Sequence, residues 1–420
     1  MKRYIELFLI LAVIMLPSTM LAAEKPTYTV SPGSAPYKKT YTNYTTYNKY
    51  TKHYYVLRSY LEQLEKKGGG TLVLKKGTYN ISNTLYIPSN VTIQLKDGVV
   101  INKTTKTGTK KFSASGTIFQ CISPKKASKE GSVSGYNGAK NIKLIGKGKA
   151  VIDLKYVEGA IAVVMGHNQD ISVSGITFRN MKNGHFIEMD AAWKVLVENC
   201  TFQNHQASPK KNKEAINLDT PDKNTDGFHE IWTTYDCTPN KDVTIQNNTF
   251  LSLERAIGTH KYSENQLHAN IRILNNTIDG CEQDAIRVMN WDSPVIEGNR
   301  ISNVAGGNGK YRAILASGVK NPVFMNNTIA NVARPIQIMP WKNSGAGESY
   351  GIIYNELSEE NIAAMQKNTL INVSENFIRY NTIYNEFVTG SYKYYIDLAI
   401  SEKSMDKSSY IPALIESVKV

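Results

Sequence analysis

Cysteine is scarce in this chain, and long apolar runs are nearly absent. The 420 residues include four cysteines, Cys121, Cys200, Cys237 and Cys281, and their spacing matches no zinc pattern. Two disulfides are permitted, and free buried thiols are equally open. No glycine fingerprint of the nucleotide-binding type occurs. Beyond residue 23, no stretch is long and apolar enough to span a bilayer.

The N-terminal 23 residues predict an export signal. Lys2 and Arg3 precede a short apolar core over residues 7–16, and Leu21-Ala22-Ala23 offers a cleavage site between small residues. A core this short is not a spanning helix, although a retained membrane anchor is the alternative. We therefore expect a secreted, extracellular protein with no membrane span after the signal is removed.

Acidic residues are outnumbered by basic ones. The chain has 49 Lys+Arg against 36 Asp+Glu, a formal net charge of +13. A basic exported protein favours anionic partners such as uronic-acid polymers, teichoic acids or capsules. Nucleic acid is not expected, because export separates the protein from it. The alternative is that the charge only holds the protein on an anionic cell wall.

Tyrosine is abundant, 25 against 11 Phe, and its flat ring with a hydroxyl suits sugar faces.

One short pattern recurs: an apolar-x-apolar strand, a turn rich in asparagine or small residues, and a second short strand. It reads ISVSGITF from Ile171, VLVENCTF from Val195, VTIQNNTF from Val243, IRILNNTI from Ile271, PVIEGNRI from Pro294 and PVFMNNTI from Pro322. Strands this short bury a face only when stacked coils supply hydrogen bonds and inward side chains to each other. The longest spacing between equivalent residues of successive repeats, from Thr201 to Thr249, corresponds either to one coil with a long insertion or to two coils. The turn asparagines are interpreted as structural, since Asn tolerates left-handed backbone and bonds its equivalent one coil away; they are Asn247, Asn248, Asn275, Asn276, Asn326 and Asn327.

The segment from Leu61 to Ile101, with a Gly-Gly-Thr run and a Gly-x-Tyr turn, resembles the entry of the pectate-lyase-like superfamily. That resemblance covers residues 54–341 and implies an all-β, right-handed parallel β-helix with an N-terminal capping helix. It does not fix the chemistry, because the superfamily includes lyases, hydrolases, epimerases and phage adhesins. The predicted organisation is a signal peptide at 1–23, a linker or mobile arm at 24–52, the β-helix domain at 53–392 and a tail packed on the solenoid at 393–420. Within the domain, a short helix is predicted at 358–367 and a last coil at 368–384.

A column of polar residues marks one strand of each coil. We align these strands on Ile161, Ile187, Ile216, Ile257, Ile286, Ile314 and Ile336. Residues one and three places later point outward, because side chains alternate along a strand. Those positions carry Glu188, Asp190, Asn217, Asp219, His260 and Arg287, whereas the flanking coils carry mainly apolar residues. Stacked carboxylates repel unless a cation, a shared proton or a nearby Arg or His relieves them, so the column is a candidate site.

Two further groups of residues surround this column. Two places before each aligned isoleucine lie His185, Glu214, Arg255, Asp284, Arg312 and Arg334, which either bind substrate or link coils through salt bridges. The insertion 222–236 is a candidate groove wall, since loops on a rigid scaffold tend to carry function. Aromatic rings could stack on sugars there or pack loops against the solenoid. The candidate substrate-binding residues are Glu188, Glu214, Asn217, His229, Trp232, Tyr235, Arg255, Lys261, Asn290, Trp291, Arg334 and Trp341.

Glycoside hydrolysis needs two carboxyl groups across the scissile bond. The order Glu188-Met-Asp190, Leu218-Asp219, Gly258-Thr-His260 and Arg287-Val-Met289 loosely resembles the polygalacturonase pattern Asn-x-Asp, Asp-Asp, Gly-His-Gly and Arg-x-Lys. The resemblance implies that Asp190, Asp219, His260 and Arg287 are catalytic or substrate-binding, and Asp222 supplies a further carboxyl group. The Asp pair is broken, Gly-His-Gly is altered and the final Lys is Met289, so the resemblance does not carry over the substrate.

The sequence leaves three activities open. The first is a hydrolase, which needs no cofactor, acting on an anionic polysaccharide through Asp carboxylates. The second is a lyase that removes the C5 proton of a uronate, with Glu188, Asp190 and Asp219 holding Ca²⁺. The third is a non-catalytic polysaccharide or cell-wall binding protein, or an epimerase.

Overall fold

The fold is a solenoid of stacked coils, each contributing one short strand to each of three sheets. The computed structural model describes residues 25–207, 213–307, 309–342, 351–381 and 396–399. The predicted signal peptide lies outside the described residues. Within them, no helix is long and apolar enough to span a membrane.

Sheet S1 is entirely parallel. Its strands in spatial order are Thr27–Val30, Gly70–Leu74, Val91–Leu95, Lys140–Gly146, Gln169–Ser174, Trp193–Glu198, Lys241–Gln246, His268–Leu274, Val295–Glu297 and Val323–Met325, with Trp291–Asp292 also paired to His268–Leu274.

Sheet S2 carries the polar column. Its strands in order are Leu85–Tyr86, Thr117–Gln120, Ile161–Gly166, His185–Asp190, Glu214–Asp219, Arg255–Gly258, Ile286–Met289, Arg312–Ser317, Arg334–Ile338, Phe377–Tyr380 and Ile396–Ala399. All pairs are parallel except the last, which is antiparallel.

Sheet S3 completes each coil and is parallel throughout. Its strands are Gly77–Ile81, Val99–Lys103, Val151–Asp153, Thr177–Met181, Thr201–His205, Thr249–Leu251, Thr277–Asp279, Arg300–Ser302, Thr328–Val332 and Thr369–Val373. A small antiparallel pair, Trp341–Lys342 with Ile352–Ile353, stands outside these sheets. Short 3₁₀ segments occupy Lys39–Asn43 and Ala305–Gly307.

The strand register confirms most of the predicted alignment. Thr201 pairs directly with Thr249, so the long step is one coil with an insertion. Successive register partners on S2 are Ile187, Ile216, Ile257, Ile286, Ile314 and Ile336, and each is fully buried. The alignment was wrong at Ile161, because Val163 is the partner of Ile187. Both residues are apolar and two apart, so strand alternation alone does not separate the two registers.

The structural interpretation of the turn asparagines is confirmed. The first of each pair, Asn247, Asn275 and Asn326, has left-handed φ of 55°, 54° and 57°. From Asn276 onward, the second residue accepts, through Oδ1, hydrogen bonds from the backbone N–H and the side-chain amide of the equivalent asparagine one coil earlier, at 2.8–3.0 Å. This buried stack is Asn248, Asn276, Asn299, Asn327 and Asn368, of which the repeat pattern had not identified Asn299 and Asn368.

The open N-terminal end of the core is capped by helix α1, Lys52–Lys66, as predicted. Its buried side chains include Val56, Leu57, Leu61 and Leu64. The preceding segment differs from the predicted linker or mobile arm, since Thr27–Val30 pairs with Gly70–Leu74 and extends S1. Tyrosine rings hold this segment against α1, with centroids 5.8 Å apart for Tyr41 and Tyr55 and 5.6 Å for Tyr28 and Tyr60. A linker was expected because these residues lack a core pattern, but ring-to-ring packing needs no strand or helix periodicity.

At the other end, α3 spans Glu359–Met365, where a short helix was expected, and the predicted last coil contributes Thr369–Val373 to S3 and Phe377–Tyr380 to S2. A further short helix, α2, spans Pro124–Ala127. Of the predicted tail, Ile396–Ala399 pairs along S2, and the rest lies outside the described residues. All four cysteines are free thiols, and only Cys237 is partly exposed.

Candidate functional site

The candidate site lies on the outer face of S2, where three carboxylic side chains meet on adjacent strands. Asp190 and Asp219 are register partners, and Glu188 is paired with Asn217. Neighbouring parallel strands lie about 4.8 Å apart, so the three acids share one small area. We call Glu188, Asp190 and Asp219 the carboxyl cluster.

The carboxyl cluster is buried and short of partners. Asp190 is fully buried, and neither carboxylate oxygen has a hydrogen-bond partner. Burial, followed by the charges of Glu188 and Asp219, raises the pKa of Asp190 well above its usual range. Burial and the neighbouring Asp219 and Glu230 raise the pKa of Glu188 to about 8. Burial and mutual repulsion therefore favour the protonated forms of Glu188 and Asp190.

Asp219, unlike Asp190, accepts hydrogen bonds. Its Oδ1 accepts from the backbone N–H groups of His260 and Lys261, both at 3.1 Å. Its Oδ2 lies 3.6 Å from His260 Nε2. Burial still raises the pKa of Asp219, although His260 opposes that shift.

His260 is fixed from its other side by Glu214, whose Oε2 lies 2.9 Å from Nδ1. Burial opposes ionisation of Glu214, but His260 and then Arg255 outweigh it and hold the pKa of that carboxyl well below its usual range. Since Glu214 is ionised, Nδ1 is the donor, which leaves Nε2 facing Asp219. His185 stacks on the ring at 5.9 Å, and burial lowers the pKa of His185 to about 3, so that ring is neutral.

A second row of charges runs beside the cluster, and it is fully paired. Arg255 lies 3.1 Å from Glu214 and 3.8 Å from Asp284, and Arg312 lies 3.1 Å from Asp284. We call Glu214, Arg255, Asp284 and Arg312 the rim ladder. Its alternating signs link successive coils, as the sequence allowed. Arg334 continues the row and pairs with Glu375 at 3.1 Å.

The insertion, residues 220–240, folds over the N-terminal part of this face, and we call it the covering loop. Its Phe228 and Trp232 are buried with Val164 and with Val133 of the preceding loop. At Gly166, the column position one coil before Asp190, a Cβ atom would collide with both aromatic rings. The loop is also tied to residues 131–135: Val133 N–H donates to Trp232 O, and Gly135 N–H donates to Asp236 Oδ2.

The C-terminal side of the cluster is positively charged. Arg287 occupies the column position after Gly258, and its guanidinium lies 5.0 Å from the centre of the Trp341 ring. Burial, with Arg255 nearby, lowers the pKa of Arg287 to about 10, which leaves it charged at neutral pH. Trp341 and Lys261 are half-buried, so this is the more accessible side of the site.

Several predicted sugar-binding residues lie elsewhere. Trp232 and Trp291 are 1% and 0% exposed, so neither ring offers a face to a sugar. Trp232 packs the covering loop, and Trp291 lies in the solenoid core with Nε1 donating to Thr259 Oγ1 at 2.9 Å. Both expectations of surface stacking are wrong, because each ring fills space between loop and coil.

Other predicted residues have structural partners. Asn290 donates to the carbonyl oxygens of Ser263 and Gln266 at 2.9 and 3.0 Å. Asp222 is buried in the covering loop, where Ser263 Oγ donates to its Oδ2 at 2.7 Å. His229 is exposed and pairs with Asp226 at 3.1 Å. Tyr235 is half-buried, with Lys223 Nζ 5.5 Å from its ring centre.

Sequence reasoning missed one residue at the site and did not foresee the contact of another. Glu230 of the covering loop is half-buried and accepts a 2.5 Å hydrogen bond from Gln120 Nε2, and it raises the pKa of Glu188. His185 had been placed only in the rim row, but it packs on His260. The alternation of side chains along a strand could not predict the position of Glu230, because that position depends on how the covering loop folds.

Calcium binding by Glu188, Asp190 and Asp219 stays a prediction. Within the described residues, no group of three or more His, Cys, Asp or Glu side chains is arranged to hold a metal ion.

A surface depression of about 380 Å³ lies away from the cluster, along S3 between residues 303–307, 331–333 and 372–374. Its lining has amide, hydroxyl and apolar groups but no ionisable side chain. We place the candidate site at the carboxyl cluster because the depression offers no acid or base.

The comparisons with known proteins agree with this architecture. The family model described as "Right handed beta helix region" matches residues 236–397. The chain is a right-handed parallel β-helix. The fold expected from the resemblance to the pectate-lyase-like superfamily is thereby confirmed.

This β-helix is similar in sequence to the plasmin and fibronectin-binding protein A of Streptococcus pneumoniae (strain ATCC BAA-255 / R6). The two are 25% identical over 283 residues, which cover 62% of this chain and 38% of that protein. The chain thus matches well under half of that relative's length.

Two solved structures of a Streptococcus pneumoniae surface adhesin, PfbA, share the fold. One has a TM-score of 0.57 at 20% identity and covers 79% of this β-helix and 87% of that chain. The other has a TM-score of 0.56 at 20% identity and covers 78% and 76%.

Proposed function

We propose that this β-helix is an extracellular glycoside hydrolase that cleaves an anionic polysaccharide at the carboxyl cluster. The supporting observation is a contrast between neighbours on one sheet. The rim ladder alternates in sign and is paired, which suits a structural role. The carboxyl cluster has one sign, is buried and leaves Asp190 without hydrogen bonds. Such an arrangement costs folding free energy and is typical of functional sites.

Glu188 is the proposed general acid. It is 7% exposed whereas Asp190 is fully buried, so Glu188 is the protonated carboxyl nearer to substrate. Its pKa of about 8 keeps the proton available at neutral pH. Asp190 then acts through its neighbours, as a protonated group that keeps the pocket free of a further charge.

Asp219 is the proposed general base, positioned by the two backbone N–H groups and by His260. Asp219 takes a proton from water as the water oxygen attacks the anomeric carbon. Glu188 gives its proton to the leaving glycosidic oxygen as that carbon–oxygen bond breaks. Arg287 and Lys261 neutralise a carboxylate on the bound sugar.

A polysaccharide panel tests this activity. Each polymer is assayed for new reducing ends and for the ultraviolet absorption of unsaturated uronates, with and without chelator. A hydrolase releases new reducing ends without producing the ultraviolet absorption of unsaturated uronates, and a chelator does not change its rate. If the new reducing ends appear together with this ultraviolet absorption, the enzyme is a lyase and the hydrolase assignment is overturned.

A non-catalytic binding role is the second candidate. It is favoured by the similarity to a protein named for binding plasmin and fibronectin, and by the surface-adhesin relatives. The same panel discriminates the two, because a binding protein releases no ends from any polymer it retains. An extracellular or surface location is common to both candidates and is supported by the predicted export signal.

A further inference from the structure

The net positive charge of this protein comes from the N-terminal coils. Residues 25–150 contain 22 Lys+Arg and 4 Asp+Glu, whereas residues 151–420 contain 25 and 30. The N-terminal third therefore exceeds the charge of the whole chain, and the part that holds the carboxyl cluster is slightly acidic. Such asymmetry between two parts of a chain points to a separate anionic partner for the basic part.

The lysines are ordered into a row at the corner between S1 and S3. Leu74, Leu95 and Gly146 are successive register partners at the ends of their strands. The next residue on each coil is a lysine, and Lys96 N–H donates to Leu74 O at 3.0 Å and Lys147 N–H to Leu95 O at 2.9 Å. Lys75, Lys96 and Lys147 therefore repeat about every 4.8 Å along the solenoid axis.

Two more lysines, Lys76 and Lys149, flank this row, and all five side chains are exposed. We call the five the lysine corner. One acid, Asp97, lies there, and its Oδ1 accepts from the backbone N–H of Lys149 at 2.7 Å. Further along the solenoid the first residue after each S1 strand is not a lysine; these residues are Gly175, Asn199, Asn247, Asn275, Gly298 and Asn326.

The row has little internal compensation. In the described part of residues 25–150, the salt bridges both involve Glu62, with Lys38 at 4.0 Å and with Arg58 at 2.8 Å. Like charges repeated at this spacing repel one another, although solvent and salt screen them. A partner with negative charges at a similar repeat would relieve that repulsion.

We propose that the lysine corner is a second binding surface, separate from the carboxyl cluster, for a linear polysaccharide that carries a carboxylate on each sugar. The repeat along the corner is close to the length of one pyranose unit, so lysines on successive coils can reach carboxylates along one extended polymer. The row runs parallel to the solenoid axis, which lets an extended polymer contact several lysines at once. The surface would hold the protein on a polyuronate matrix whether or not the cluster cleaves it.

The test measures binding of fluorescent oligogalacturonate by anisotropy over a series of salt concentrations. The variant is Lys75→Gln/Lys96→Gln/Lys147→Gln. The matched control is Lys155→Gln/Lys241→Gln/Lys367→Gln, which removes three exposed lysines elsewhere. We expect the corner variant to weaken binding about tenfold or more at low salt and to flatten its salt dependence. The control should change affinity by less than about twofold, since its lysines lie off the row.

Equal loss in both variants would mean that only net charge matters, and would overturn the proposal. So would undetectable binding by the wild type at low salt, or equally tight binding of inorganic polyphosphate. Neutral dextran should not bind. The two proposals can fail separately. If the protein binds oligogalacturonate at the lysine corner but cleaves no polymer in the panel, the second binding surface is supported and the hydrolase activity is overturned.

Discussion

Glu214 Oε2 lies 2.9 Å from Nδ1 of His260, and this bond orients the imidazole toward Asp219. Glu214 and His260 are 46 residues apart in sequence and lie on adjacent coils. The bond connects the rim ladder to the carboxyl cluster through His260. A residue that serves stability thereby also positions a residue of the proposed catalytic site.

Glu214→Gln should destabilise the protein by about 3–5 kcal/mol, because it removes the buried negative charge nearest to Arg255 and to His260. The pKa of Glu214 is held below its unfolded value of about 4.3. Its contribution is therefore present above that pH and lost as the pH falls below it. Urea unfolding at pH 7 and at pH 2 measures both effects.

The matched control is Glu356→Gln, which breaks the exposed 2.7 Å pair with Lys320. It should change stability by no more than about 1 kcal/mol. If the two variants unfold alike, the Glu214 interactions do not stabilise the fold.

Glu188→Gln should stabilise the protein at alkaline pH. In the folded protein, Glu188 has a raised pKa of about 8, against about 4.3 when unfolded. Since the folded state retains a proton that the unfolded state releases, wild-type stability falls as the pH rises between these values. We expect the variant to gain about 1–3 kcal/mol at pH 8 and little at pH 4. Thermal melts at both pH values check this, and a uniform loss would contradict it.

Gly166→Ala should dislodge the covering loop without unfolding the solenoid. The new Cβ atom would meet Trp232 and Phe228, whereas Gly116→Ala would meet only the carbonyl oxygen of Gly159 at 3.7 Å, an ordinary contact. We expect Gly166→Ala to raise the rate of proteolytic cleavage within residues 220–240. The protease should cleave Gly116→Ala at the same rate as the wild type. Equal cleavage rates for all three proteins would show that Gly166 does not hold the covering loop in place.

Ile257→Ala should lower the free energy of unfolding by about 2–5 kcal/mol, because it removes a fully buried member of the isoleucine stack. Chemical denaturation measures this. A variant that unfolds like the parent would mean that Ile257 does not support its neighbours on adjacent coils.

The repeats predicted the coils well because a stacked strand must match its neighbour residue for residue. The register of Ile187 through Ile336 and the asparagine stack both follow from that constraint. The slip at Ile161 and the missed strand Thr27–Val30 occurred where apolar spacing was ambiguous or absent.

The site was predicted less completely, since strand alternation says which side chains point outward but not what covers them. The polar column was located at Glu188, Asp190, Asp219 and Arg287. The burial of Asp190 and Trp232 depends on how residues 220–240 fold over the sheet. The pairing of Glu214 with His260 depends on side-chain rotamers across two coils. Neither feature has a sequence period.

The most direct test of the account is the rate of reducing-end release by Glu188→Gln on the polysaccharide that the wild type cleaves. The control is Glu198→Gln, the same change on sheet S1. The account predicts a loss of about 10²–10⁴-fold for Glu188→Gln and none for Glu198→Gln. It also predicts that wild-type activity declines as the pH rises through about 8, where Glu188 loses its proton. Unchanged activity in Glu188→Gln would contradict the assignment of the carboxyl cluster as the catalytic site.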